Sequence, residues 1–132
     1  MKLDGAIIGL GVATGVAMGL VTSLVGLTPA LEPLIWLAFY AVWLRAMHVR
    51  HSPSPLQTAV SASLASGVAV GVVQAALMPW YVASNPWYAD YMTGDRLSMG
   101  GQVLVQGIGM GMLFGLPVGF MARGLARSRD EA

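Results

Sequence analysis

Few residues in this chain could do chemistry. Glu32 stands at the edge of an apolar run, and Gln74, Gln102 and Gln106 fall near the same depth in two other apolar runs, level with Thr22 and Ser23. An ionisable side chain held inside a membrane marks a functional position by default. Amides at its level would supply donors and acceptors for a small polar solute entering from one side. A plainer account also exists. A carboxylate suits the first turn of a helix, and glutamines hydrogen-bond between membrane helices for about 0.6 kcal/mol each.

His48 and His51 lie three apart at a helix end, a spacing that can hold a metal or ligate a haem axially. With no cysteine and no cluster of carboxylates nearby, they fall short of the three protein ligands that zinc usually requires. Arg45 and Arg50 beside them suit anionic lipid headgroups instead. Neither a metal nor another cofactor is expected. The serines have no histidine at their depth to act as a base, and no phosphate loop, nucleotide fingerprint or metalloprotease motif occurs. The expectation is a protein that is not an enzyme.

The elements that position these residues follow from composition. Of 132 residues, 56% are hydrophobic and 10% charged, with a net charge of +1. Soluble domains carry about 25% charged residues, so this chain has too little charge to solvate a surface. No basic stripe is present to bind nucleic acid. Four apolar runs, 5–27, 30–47, 56–79 and 98–122, approach or exceed the ~20 residues that a membrane-crossing helix needs. The first is longer than a signal peptide's apolar region and no clear cleavage site follows it, so it is expected to be retained. Thr28 with Pro29, and Ser54 with Pro55 and Gln57, read as helix starts. The stretch 80–97, with Trp80, Tyr81, Trp87, Tyr88 and Tyr91, reads as a loop at the membrane interface.

Three runs carry small residues every fourth position: Gly11, Gly15 and Gly19; then Ala59, Ser63, Gly67, Gly71 and Ala75; then Gly107, Gly111, Gly115 and Gly119. In water each interior glycine would cost a helix about 0.8–1 kcal/mol against alanine. In a bilayer such stripes let helices pack closely. The second run is different, bearing Trp36, Phe39, Tyr40 and Trp43 on one broad face.

The fold expected is therefore all-α, four transmembrane helices in a bundle. The similarity of residues 15–21 to 67–73 suggests two parallel-repeated helical hairpins. Lys2, Arg45, Arg50, Arg123, Arg127 and Arg129 would share one side and Arg96 alone the other. This asymmetry predicts an inner (plasma) membrane protein with both termini cytoplasmic. Two functions stay open. One is a packing subunit that joins itself or a larger membrane assembly through its glycine-lined faces. The other is a minimal channel or transporter using Glu32, Gln74, Gln102 and Gln106. The aromatic second run leaves room for a bound lipid, quinone or pigment.

Overall fold

The computed structural model describes residues 2–131. Those residues form six helices and no strand: α1 (Gly5–Leu24), α2 (Leu31–Val49), α3 (Pro55–Ala76), α4 (Met78–Ser84), α5 (Pro86–Ala89) and α6 (Arg96–Asp130). Local chemistry sets most of the boundaries. Asp4 accepts from the Ala6 amide, and Asp95 from the Ser98 amide at 2.9 Å, so a carboxylate caps each of α1 and α6. Thr28 Oγ1 accepts from the Leu31 amide at the start of α2. Ser54 precedes α3 but its hydroxyl makes no capping bond, contrary to the sequence expectation. Pro55 at the first helical position suits a helix start, its missing N–H being one of the amides left unpaired at that end in any case.

The stretch 80–97 is not a simple loop. α4 and α5 fill its first half, each with a proline in its first turn, and α3 ends at Ala76 rather than Pro79. Pro79 lacks the N–H that would continue α3, and its fixed φ suits the beginning of the next helix. α6 runs past residue 122 to Asp130, for 35 residues, or about 52 Å at 1.5 Å per residue. That exceeds a hydrocarbon core of about 30 Å.

Three of these helices, α1, α3 and α6, are long and apolar enough to cross a membrane. α2 misses that standard because Glu32, Arg45 and His48 interrupt its apolar run. Val12, Val16 and Leu20 on α1 and Leu113, Leu116 and Phe120 on α6 are exposed. Apolar faces of this extent would be unusual in a soluble monomer.

α3 is the central helix, with α1 on one side and α6 on the other. The glycine ladders make both contacts. A Cβ on Gly11 would stand 2.5 Å from the Ala62 carbonyl oxygen, one on Gly15 would strike the Ser66 carbonyl, and one on Gly19 would lie 2.7 Å from Val73 Cβ. Across the other contact Gly67 and Gly107 face each other, each meeting the other's carbonyl oxygen. Gly71 lies against the Leu104 backbone, Gly111 and Gly115 against Ser63, and Gly119 against Leu56. Backbones approach here as closely as only glycine permits.

α2 keeps its backbone away from α3 and touches α1 and α6 over short stretches only. Its bulk is the reason. Trp43, fully buried, fills the space above Ala59 and Ala62 of α3, joined by Ile7, Met47, Val118 and Ala122. Large side chains hold α2 at the distance that small ones let α1 and α6 close. The pairs α1–α2 and α3–α6 are thus packed quite differently, and the internal similarity of sequence is not carried into the packing.

Candidate functional site

Two ends of the molecule can be told apart. At one, Arg50 pairs with Asp4 at 3.1 Å, the Asp4 amide donates to Thr58 Oγ1, and Arg129 donates to the His48 carbonyl. This is the basic end. Burial alone would raise the Asp4 pKa, but the hydrogen bond and charge of Arg50, with the Ile7 and Ala6 amides, hold it below its ordinary value. The other end carries α4, α5 and their aromatic rings.

Between α2 and the α3–α6 pair, toward the aromatic end, lies a cavity of about 360 Å³. Its walls come from helical spacing. Glu32, Trp36 and Tyr40 are four apart on α2, and Gln106, Met110 and Phe114 are four apart on α6, so each row forms one face. The rows face each other across the gap, with Gln74, Val70 and Ser63 of α3 behind them and Tyr81 and Tyr88 beside Glu32. On the α1 side the gap is filled by Met18, Leu27, Ile35 and Phe39. On the α6 side Leu37, Met110 and Gln106 are exposed, and there the cavity opens.

The rings are ordered. Trp36 stacks on Tyr40 with centroids 5.9 Å apart, and Tyr40 stacks on Phe114 at 5.9 Å, which carries the run from α2 to α6. Offset stacking at this separation contributes about 0.5–1.5 kcal/mol per pair beyond burial. At the other extreme of the cavity the Tyr88 hydroxyl donates to Glu32 Oε2 at 3.4 Å. Burial first, and then the Glu32 carboxylate, push the Tyr88 and Tyr81 hydroxyls above their ordinary pKa. Both therefore stay protonated and able to donate.

Glu32, Gln74 and Gln106 thus meet at one cavity, while Gln102 does not. Gln102 is exposed and donates to the Thr93 carbonyl at 2.8 Å, because it sits on the face of α6 that the turn leading into that helix approaches. Gln74 is buried and donates from Nε2 to Thr22 Oγ1 at 3.0 Å, joining α3 to α1. Of the two histidines, His48 contributes its carbonyl to Arg129, and His51 closes α2 with a left-handed φ of 53°. Among the described residues no three of His, Cys, Asp and Glu come together as a metal site would require.

Three participants were not singled out from the sequence. In the sequence Tyr81 and Tyr88 have the character of interface residues, and Phe114 lies unmarked inside a glycine-rich helix. Its four-residue spacing from Met110 and Gln106 was the available signal. Comparison of the chain with protein families, with curated proteins and with solved structures finds no match.

Proposed function

We propose that this chain is a four-span inner-membrane protein that binds a small amphipathic solute in the cleft between α2 and the α3–α6 pair. α2 completes the three apolar helices as the fourth span. The grouping of Arg45, Arg50, Arg123, Arg127 and Arg129 toward one end supports an orientation with both termini cytoplasmic, and the cavity then faces the outer leaflet. One observation carries the binding reading: a single cavity is lined both by Glu32, Gln74 and Gln106 and by the stacked run of Trp36, Tyr40 and Phe114. Its volume falls in the ~300–1,000 Å³ range typical of small-molecule sites. A channel or transporter for such a solute would use the same residues.

Assembly through the glycine-lined faces has less support. All nine ladder glycines, Gly11, Gly15, Gly19, Gly67, Gly71, Gly107, Gly111, Gly115 and Gly119, already lie against neighbours within the chain. Those stripes leave no free face for a partner subunit or a second copy.

The test is to purify the protein from its native membrane and identify small molecules that travel with it. The same is done for Gln106→Trp, which fills the rim of the cavity from an exposed position. A compound present with the parent protein and lost from the folded variant is the expected result. The same small molecules in both, or none in either, would refute the binding site.

A further inference from the structure

We infer that the solute of this cavity is a monovalent organic cation, an amine or quaternary ammonium bearing apolar substituents. The inference rests on the binding reading above and concerns the charge of what is bound. Among the described residues Glu32 is the one formally charged side chain on the cavity wall, and no lysine, arginine or histidine lines it. The ion pairs among the described residues, Arg50 with Asp4 and Arg129 with Asp130, lie at the basic end. Glu32 therefore has a hydrogen bond from Tyr88 but no counter-charge. A carboxylate removed from water is costly unless it is paired, so the site favours a cation over a neutral guest and opposes an anion.

The rest of the wall points the same way. The rings of Trp36, Phe114, Tyr81 and Tyr88 line the cavity together with Glu32, and Tyr40 lies stacked between Trp36 and Phe114. Ring faces carry negative potential and attract cations held within ~6 Å, the arrangement used to hold quaternary ammonium groups. With the Gln74 Nε2 committed to Thr22, its carbonyl oxygen is left as an acceptor. An inorganic divalent ion would need several oxygen ligands in place of rings. The opening beside exposed Leu37 and Met110 suits a guest whose substituents are apolar.

Three probes of one shape and different charge test this: benzyltrimethylammonium, its neutral carbon analogue neopentylbenzene, and phenylmethanesulfonate. Binding is measured by equilibrium dialysis to the full chain in phosphatidylcholine nanodiscs, which carry no net charge. The ammonium should bind at least tenfold more tightly than either of the others. Glu32→Gln, which keeps the size and the Tyr88 contact, should weaken the ammonium at least tenfold and the neutral probe little. Phe114→Leu should weaken the ammonium severalfold, with thermal melting showing that each variant is folded. Equal binding of the neutral probe, preference for the sulfonate, an unaffected Glu32→Gln, or failure of all three probes to bind would overturn the cation assignment. The binding reading then stands or falls separately, on the Gln106→Trp comparison.

Discussion

The carboxamide of Asn85 occupies the bond that would close α1 at Thr22. A helix ending in a left-handed residue usually closes with an N–H two positions beyond the cap reaching back to the carbonyl five residues earlier. Here Gly26 has the left-handed φ of 77°, and the corresponding pair is the Leu27 amide and the Thr22 carbonyl. Asn85 lies between them: Nδ2 donates to Thr22 O at 2.6 Å and to Tyr81 O at 2.7 Å, and Oδ1 accepts from Leu27 N at 3.4 Å. One buried side chain thereby ties the end of α1 to the turn between α4 and α5.

Asn85→Ala should therefore destabilise the protein by about 1–3 kcal/mol, the cost of leaving buried backbone groups unpaired. Asn85→Asp should cost more, since it sets a carboxylate oxygen where Nδ2 now meets two carbonyls. Thermal melting of the variants in detergent checks both, and an Asn85→Asp as stable as Asn85→Ala would contradict this geometry.

The glycine ladders give a second prediction with a built-in control. A side chain at Gly111 would meet Ser63 O at 2.7 Å, whereas one at Gly109 would meet nothing within 4 Å. Overpacking typically costs about 1–3 kcal/mol, and a backbone obstacle puts Gly111→Ile at the upper end. Gly109→Ile should melt close to the parent. Equal tolerance at the two positions would mean that α3 and α6 are not in contact along this ladder.

These ladders were legible because their four-residue period depends on residue size alone. The site was legible only in part. Glu32, Gln74 and Gln106 share a level that can be counted along the chain, but Gln102 is four residues from Gln106 and still points elsewhere, drawn to a carbonyl of the preceding turn. The cavity itself results from a mismatch between helices. Trp43 and Tyr40 hold α2 away from α3 while glycines draw α6 in, and no single helix reveals that difference. Asn85 was invisible for a related reason: the partners it holds at the end of α1 lie 58 and 63 residues away in sequence.

His51 gives a third prediction. Its amide bonds to His48 O and the Ser52 amide to Met47 O, the pairing that ends a helix around a left-handed residue. A residue other than glycine pays about 1–2 kcal/mol to adopt that conformation. His51→Gly should raise stability, by up to about 1 kcal/mol after the added freedom of the unfolded glycine is counted. A loss of stability would show that the exposed imidazole has work of its own.

The ion pair at the basic end should make stability depend on acid. Because Asp4 titrates below its ordinary value of 3.8 when folded, its favourable contribution is complete above that value and is lost as pH falls through the lower, folded one. Exposed pairs of this kind contribute about 0.2–1 kcal/mol. Melting of the parent should therefore drop further than that of Arg50→Gln between pH 6 and pH 3. Parallel profiles would show that Arg50 does not hold the Asp4 proton off.

The attachment of α2 is the last point open to test. Trp43 is 0% exposed and lies against Ala59, itself 0% exposed, in the cluster that joins α2 to α1, α3 and α6. Its Nε1 has no hydrogen-bond partner, so the indole acts there through volume and not through its polar atom. Trp43→Ala should cost about 3–5 kcal/mol, whereas Trp43→Phe, which keeps most of the ring and removes the unpaired N–H, should cost under about 1.5 kcal/mol. The chain has no native cysteine, so a single Ala59→Cys reports on this contact without background. In an otherwise unaltered chain its thiol should resist maleimide. With Trp43→Ala added it should react, and with Trp43→Phe it should remain protected. Equal reactivity in all three would show that Trp43 does not seal the space between α2 and α3, and that the separation of those helices has another cause.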